Sequence, residues 1–307
     1  MATMTETPAK PADVISSHDY HAEAHVLSGT LQRPIEQKIE PHAPTEIHGR
    51  RSGHLTRIVQ DVSIEGLIAF ERGSSRVSGA KSLKHNGWVT LSTSIIEGFN
   101  VFEVITADRI VSQVSTDHAY GEEGHFPSVT FLGTKFENLR VSGFPVTLEL
   151  DYGVCGDRPS GNRSYLDNFD FLDRVRERTE GIANATGLPK DLKTQYDKEL
   201  ATIKDLIAGK KGSEPKITCS LVKSIGSIPI PGVQSFGHVL VIPEFGSVSL
   251  GEVEVGEKTY DSSAARSDKN PKPDNYFTAS VIKLKLGCVG HGEMAGPTAS
   301  VNGHHDP

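Results

Sequence analysis

The chain has 307 residues, of which 36% are hydrophobic, enough to bury a substantial core in one large β domain or two smaller domains. Its 39 Asp and Glu residues outnumber its 32 Lys and Arg residues, and the net charge of -7 offers no basic field to nucleic acid or anionic lipid. No apolar run reaches the roughly 18 residues typical of a membrane-spanning helix. We therefore expect neither nucleic-acid binding nor a membrane span.

The N-terminal segment differs in composition from the rest of the chain. Residues 1–17 are rich in Thr, Pro, Ala and Glu, and are predicted to form a disordered arm. They lack a basic region followed by an apolar stretch, so no secretory signal is predicted and the expected location is the cytoplasm. The Pro- and His-bearing stretch over 40–54 is interpreted as a loop, which gives an arm of about 50 residues.

Three histidines lie within eight residues of one another, in the stretch HDYHAEAH: His18, His21 and His25. They are the strongest candidate in the sequence for a metal site. In a helix they would share one face and could coordinate zinc, nickel or copper. In a strand only His21 and His25 would share a face. Because exposed histidines near a terminus are common, no cofactor is expected, and a transition metal at these three residues is the alternative.

The chain from Leu55 to Asp151 is dominated by strand patterns. Runs rich in Val, Ile, Thr and Phe are separated by Gly, Asn, Asp and Ser. The run FNVFEVITADRIVSQVSTD alternates with period two and carries apolar residues on both faces, which predicts one central strand. The run LRVSGFPVTLELD predicts a hairpin that turns at Ser142-Gly143, with its second half at a sheet edge because Pro145 cannot donate a ladder hydrogen bond.

Helical spacing of apolar residues replaces the strand pattern over 164–212. Pro189 and Gly209 bound the second of two predicted helices. One side of that helix carries an apolar stripe formed by Leu192, Tyr196, Leu200 and Ile203. The stripe is interpreted either as the underside of a cap over the sheets or as a surface that docks a partner. The cap is preferred because amphipathic helices usually bury their stripe on their own domain.

Strand patterns return after Lys216, and strands on both sides of a helical pair indicate one β domain that carries an insertion. The predicted fold is therefore mainly β, a two-layer β-sandwich with an inserted α-helical hairpin. Its predicted segments are a disordered N-terminal arm over 1–17, the first part of the sandwich over 18–163, the helical hairpin over 164–212, the second part of the sandwich over 213–302 and a tail over 303–307.

Motifs for the common enzyme chemistries are missing from the sequence, which has no GxSxG elbow and no phosphate-binding GxxxxGK[ST] or GxGxxG loop. Cys155, Cys219 and Cys288 form no CxxC pair and are interpreted as small buried hydrophobic residues, with a Cys155 to Cys219 bridge as the alternative in an oxidising compartment. Asp151 and Asp157 flank Cys155 and would raise the pKa of its thiol, which argues against a cysteine enzyme.

Several stretches, in this order along the chain, resemble the bacterial choice-of-anchor P family of surface proteins. The resemblance is carried by a strand with the sequence ITAD at 105–108 and a hairpin with the sequence LRVSGFP at 139–145, and it covers residues 22–155 and 236–301. It implies a secreted, β-sandwich-like domain at the cell surface, without established catalytic residues. The helical hairpin and the lack of a predicted signal peptide or anchor depart from that family.

These features predict a non-enzymatic structural or assembly protein that forms a homo-oligomer through strand edges and its N-terminal arm. The first alternative is a small-molecule or carbohydrate-binding module, with aromatic stacking platforms at Trp88, Tyr120, Phe126 and Tyr152. The second alternative is a metal-dependent enzyme that uses the N-terminal histidines.

Overall fold

The computed structural model describes residues 18–32, 36–82, 87–118, 126–161, 163–258, 274–287 and 292–305, so the predicted arm over 1–17 lies outside the described residues. The described strands are β1 (His18–His25), β2 (Ser28–Leu31), β3 (Gln37–Ile39), β4 (Thr45–Gly49), β5 (Gly53–Ile64), β6 (Ile68–Lys81), β7 (Trp88–Val101), β8 (Ile105–His118), β9 (Ser128–Thr130), β10 (Lys135–Glu137), β11 (Arg140–Val141), β12 (Phe144–Pro145), β13 (Leu148–Leu150), β14 (Lys216–Ser220), β15 (Val222–Ile225), β16 (Gln234–Phe236), β17 (Val239–Ile242), β18 (Gly246–Lys258), β19 (Asp274–Leu286) and β20 (Gly292–His305). The helices are α1 (Phe169–Ala183) and α2 (Lys190–Ile207), preceded by a 3-10 turn at Tyr165–Asp167.

Two large antiparallel sheets pack against each other in layers. Sheet A has the order β16-β17-β18-β19-β20-β1-β4, with β14 beside β18 and the β2–β3 pair beside β20. Sheet B has the order β12-β11-β8-β7-β6-β5, with β9 and β10 beside β8. Strands β13 and β15 form a separate pair. The predicted two-layer β-sandwich with an inserted helical hairpin is confirmed.

Sheet A joins both ends of the chain. Strand β1 lies between β20 and β4, and all eight of its residues pair with β20 in register from His18 opposite His305 to His25 opposite Thr298. The prediction of an N-terminal arm of about 50 residues is therefore wrong beyond residue 17, because β1 is an interior strand and 40–54 contains β4 and the start of β5. The boundary predicted at 302 is also too early, since β20 continues to His305.

The core lies between the inner faces of the two sheets. Val77 and Val114 of sheet B belong to one buried cluster with Val253, Phe277 and Val301 of sheet A. All five side chains are completely buried. Burial of each such side chain stabilises the fold by roughly 1.5–3 kcal/mol relative to its exposure. A shift of one residue in the pairing would turn these side chains to the outer face, so their burial fixes the strand registers.

The long run over 99–117 contributes to two strands and is not the single central strand that its alternation predicts. Strand β7 ends at Val101, the chain turns through Phe102 and Glu103, and β8 begins at Ile105. Both turn residues have positive φ, +54° and +59°, and the amide of Val104 donates to the carbonyl of Val101, as in a type I′ turn. Such turns usually carry Gly or Asn, and the absence of either residue hid this one from the sequence pattern.

The hairpin predicted at Ser142-Gly143 is present. Both residues have positive φ, and Arg140 pairs with Pro145 across the turn. Pro145 is at the end of sheet B, as a residue without an amide hydrogen requires. The rest of the predicted second run leaves this sheet, because β13 pairs with β15 instead.

The helical hairpin has a clear signal at each end. Asn168 accepts hydrogen bonds from the amides of Asp170 and Phe171 at the start of α1. After α2, Gly209 has a φ of +76°, and the amide of Lys210 donates to the carbonyl of Asp205 in a Schellman arrangement. The hairpin forms buried clusters with β14, β16 and β17, and so covers one end of sheet A.

Candidate functional site

Strand β5 is an open edge of sheet B. It pairs with β6 along one side, and no described strand pairs with its other side. Residues 53–58 are all exposed, so this part of the strand extends past the cover of sheet A on both of its faces. Leu55 and Ile58 are 38% and 54% exposed, so an added strand would find two large aliphatic side chains to pack against.

Natural proteins usually protect such an edge, because a row of unpaired amide and carbonyl groups can pair with another chain. The common protections are Pro, Lys, a bulge or a very short strand. Strand β5 has 12 residues and contains neither Pro nor Lys. The other described end strands are much shorter, with β12 at two residues, β16 at three and β4 at five. Strand β5 is therefore the described edge best suited to pair with a further strand.

A second site lies beneath the helical hairpin, where a charged network is buried against sheet A. Glu252 of β18 lies 2.7 Å from Lys283 Nζ of β19 through its Oε2 atom, and 3.7 Å from His238 Nε2 through its Oε1 atom. Tyr196 of α2 reaches the same histidine, with its hydroxyl oxygen 3.3 Å from Nε2. The side chain of Glu252 is only 8% exposed, so the network attaches α2 to the sheet by buried polar contacts.

The environment of this network fixes its charge states. Burial alone would raise the pKa of Glu252, but the neighbouring His238 and Lys283 outweigh burial and lower that pKa to about 2. The carboxylate of Glu252 in turn outweighs the effect of burial on Lys283 and raises its pKa. Burial raises the pKa of the Tyr196 hydroxyl and also that of Glu199. The network is thus a stable ion pair with a neutral tyrosine.

A cavity of about 190 Å³ adjoins the network, between the helical hairpin and sheet A. Its lining includes Tyr196, Glu199, Cys219 and His238. Pockets for drug-sized ligands usually measure about 300–1,000 Å³, so this cavity matches a smaller molecule. Its lining is mainly apolar, and Tyr196, Glu199 and His238 bring polar groups to it.

The Cys155 thiol is not activated as a nucleophile. Cys155 and Cys219 are buried free thiols. A hydrogen bond to Cys219, followed by burial, raises the pKa of the Cys155 thiol well above its usual value. The direction agrees with the sequence-based argument against a cysteine enzyme, although the flanking carboxylates are not its main cause. Cys288 lies outside the described residues.

The three histidines predicted as a metal site do not converge. His18 is buried on the inner face of β1 and stacks on Trp88, with ring centroids 5.3 Å apart. His21 and His25 face outward, but four residues of a strand separate them by about 13 Å. The Nε2 atom of His25 lies 3.0 Å from Ser28 Oγ. The prediction of one ion held by all three residues is wrong, because their stretch is a strand.

The apolar stripe of α2 is not exposed to a partner. Leu192, Tyr196, Leu200 and Ile203 are all buried, with at most 9% exposure. Leu192 and Tyr196 cluster with β16 and β17, and Ile203 clusters with β14 and the sandwich core. The prediction that these four residues bind a partner is therefore wrong for the folded chain, and the structure agrees with the preferred interpretation of a cap.

The aromatic residues considered for carbohydrate binding do not form a surface platform. Trp88 and Phe126 are buried, and Tyr152 is partly buried with its hydroxyl donating to the carbonyl of Thr134. Tyr120 lies outside the described residues. A sugar ring needs an exposed aromatic face for stacking, and none of these three described side chains provides one.

A model of the family described as a domain of unknown function (DUF8256) matches residues 18–256, well over half of the chain. The chain belongs to this family. No curated protein and no solved structure matches it. Neither described helix combines the length and the apolar content needed to cross a bilayer.

The DUF8256 match begins at the first residue of β1 and ends within β18. Strands β19 and β20 lie outside it, although they occupy the centre of sheet A, between β18 and β1. The DUF8256 segment of this chain therefore needs its C-terminal strands to complete the sheet.

No local sequence pattern indicates either site. Strand β5 was predicted as a strand, but its position at an edge depends on the topology of the sheet. The buried network unites Tyr196, His238, Glu252 and Lys283, which are distant in the sequence. Glu252 and Glu254 both alternate with valines in the stretch SLGEVEVG, so the sequence does not distinguish the buried glutamate from the more exposed one.

Proposed function

We propose that this protein is a non-enzymatic structural or assembly protein whose copies associate through β5. The observation that carries the proposal is the long edge of β5, with residues 53–58 exposed on both faces. Pairing with an added strand would satisfy its open amide and carbonyl groups and cover Leu55 and Ile58. This is assembly by extension of sheet B.

The partner that best fits this edge is a second copy of the same chain. Within β5, Arg57 and Asp61 carry opposite charges, so two copies that approach edge to edge do not meet strong like-charge repulsion. An antiparallel pair of β5 strands around a two-fold axis presents the same surface on both subunits, the usual arrangement in homodimers. The proposal therefore predicts a dimer with a sheet that continues across both sandwiches.

The mass of the chain in solution tests this proposal. Light scattering should report a dimer for the natural chain and a monomer for the double variant Leu55→Lys and Ile58→Lys, because charged side chains at an edge oppose strand pairing. Leu132→Lys is the matched control, since Leu132 is 63% exposed and lies away from β5. A natural chain that is monomeric at high micromolar concentration, or an unchanged mass for the double variant, would contradict the proposal.

The predicted contribution of the N-terminal arm requires a different test from the one at β5. A chain that starts near Ser52 would lack β1, an interior strand of sheet A, and would fail to fold. A chain that starts at His18 removes only residues 1–17 and keeps every described strand. If the arm contributes to assembly, this shorter chain should dissociate at a higher concentration than the full chain.

We propose the cytoplasm as the compartment, because Cys155 and Cys219 are neighbouring buried thiols that remain free. Membership of the choice-of-anchor P family would instead imply the cell surface, where oxidising conditions favour a disulfide between them. Alkylation of protein taken directly from its native cells, followed by mass spectrometry, distinguishes the two. Two alkylated thiols agree with the cytoplasm, and a bridged pair contradicts it.

A small-molecule-binding module is the second candidate, favoured by the cavity of about 190 Å³ beside Tyr196 and His238. A small polar ligand there should raise the melting temperature of the natural chain. The variant Glu199→Gln changes the polar lining without removing the buried ion pair, and should weaken the effect. If no small polar compound stabilises the natural chain, this candidate fails.

A further inference from the structure

Two cross-strand pairs form a compact polar patch on the outer face of sheet A. His21 of β1 lies opposite His48 of β4, and Glu23 lies opposite Glu46. Their neighbours Ala22 and Ala24 point into the core, so these four side chains share the outward face. The patch differs from the predicted cluster of His18, His21 and His25. It shares only His21 with that cluster, and two of its four residues belong to β4.

Three of these residues offer ligand atoms at a spacing suited to one metal ion. One ligand atom from each of Glu23, Glu46 and His48 lies within 4.8 Å of the other two. Ligands bound to one zinc ion at about 2.0–2.2 Å lie at most about 4.4 Å apart, so small side-chain rotations would bring the three into coordination. All three side chains are exposed, which gives an ion direct access.

The ring of His48 is already oriented for this role. Its Nε2 atom contacts Glu46 Oε1, and its Nδ1 atom lies 2.8 Å from Nδ1 of His21. If Nε2 binds an ion, the hydrogen on Nδ1 can be donated to His21. A histidine ligand commonly has its second ring nitrogen held in this way by a neighbouring group. His21 is thus a positioning residue and not a ligand.

The electrostatics of the patch favour a cation. Glu23 and Glu46 lie directly opposite each other on one face of an antiparallel pair, a position where like charges are destabilising. A divalent ion between them would replace this repulsion with attraction. Carboxylate oxygens and an imidazole nitrogen together suit zinc, and a site with three protein ligands leaves one position for water.

We propose that Glu23, Glu46 and His48 form a zinc site on the outer face of sheet A, with His21 orienting His48. The site is independent of the assembly proposal, because its ligands are on β1 and β4 and not on β5. Its occupant is a divalent zinc ion from solution, and water completes the coordination.

Calorimetric titration of the full chain with Zn²⁺, after treatment with EDTA and its removal, tests the proposal. The natural chain should bind one more equivalent of zinc than either His48→Ala or Glu46→Gln. Glu40→Gln is the matched control, since Glu40 is an exposed glutamate outside the patch and outside β5, and it should keep that equivalent. His21→Ala should keep the stoichiometry but weaken the affinity by roughly 10- to 100-fold, as expected for an orienting partner.

A second readout separates zinc binding from a folding defect. Without metal, the four variants should melt close to the natural chain, because the substituted side chains lie on its surface. Added Zn²⁺ should raise the melting temperature of the natural chain and of Glu40→Gln, but not that of His48→Ala or Glu46→Gln. Equal zinc stoichiometry and equal thermal shifts in His48→Ala, Glu46→Gln and Glu40→Gln would overturn the proposal, as would a natural chain that binds no zinc.

Discussion

Lys283 Nζ lies 2.7 Å from Glu252 Oε2, and this ion pair joins the neighbouring strands β18 and β19 beneath the helical hairpin. The arrangement explains why a carboxylate is tolerated almost fully buried near the middle of a sheet. Lys283 compensates the charge from one side, and His238 lies close on the other side. Because Tyr196 of α2 contacts His238, the helical hairpin is a fixed part of the fold.

Glu252→Gln should destabilise the chain by about 2–3 kcal/mol, because it removes a charged hydrogen-bond partner from a buried network. Urea unfolding at neutral pH measures the change. Glu254→Gln on the same strand is the matched control, since Glu254 pairs with the exposed Lys216 and should cost under about 1 kcal/mol. Equal losses in the two variants would show that burial of the Glu252 charge is unimportant.

The stability of the chain should decline in acid through Glu252. Its folded pKa of about 2 lies below its unfolded value of about 4.3, so the carboxylate stabilises the fold above pH ~4.3. This contribution, on the order of 3 kcal/mol, is lost as the pH falls from about 5 to about 2. Unfolding free energies across this range should fall less steeply for Glu252→Gln. A slope identical to that of the natural chain would contradict the assignment.

Ile203→Ala should cost about 2–4 kcal/mol, because Ile203 is completely buried in the cluster that α2 shares with the sandwich core. Lys198→Ala, on an exposed position of the same helix, should change the unfolding free energy by less than about 0.5 kcal/mol. Chemical unfolding compares the two variants. If Ile203→Ala lowers the oligomer mass without lowering stability, the helix is a docking surface after all.

Glu103→Gly should stabilise the chain by up to about 1 kcal/mol, because Glu103 is exposed and holds a φ of +59°, which glycine adopts without strain. The melting temperature measures the gain. Glu97→Gly, inside β7, serves as the contrasting control and should destabilise the strand. A loss of stability in Glu103→Gly would mean that the turn is not the one described.

The predictable parts of the fold are those encoded over short distances. The stripe of Leu192, Tyr196, Leu200 and Ile203 recurs at helical spacing, so the second helix and its buried face could be predicted. Ser142-Gly143 is a turn pair with positive φ, and its hairpin was equally clear. In both cases the chemical signal lies within a few residues of the structure it specifies.

The unpredictable parts depend on long-range pairing. His18 belongs to an interior strand only because β1 pairs with β20 at the other end of the chain. The metal-site candidate needs His48 of β4 beside β1, whereas the sequence pattern offered only histidines of one segment. The turn at Phe102 and Glu103 lacks the residues that usually mark positive φ, so local rules favoured a continuous strand.

Hydrogen exchange of the β5 amides at two protein concentrations shows whether the β5 strands of different copies pair. At high concentration the amides of residues 53–58 that point away from β6 should be protected, and dilution or the Leu55→Lys and Ile58→Lys double variant should release them. The amides that donate to β6 should be protected throughout. If the mass doubles with concentration while exchange along β5 stays the same, the copies associate through another surface and not through β5.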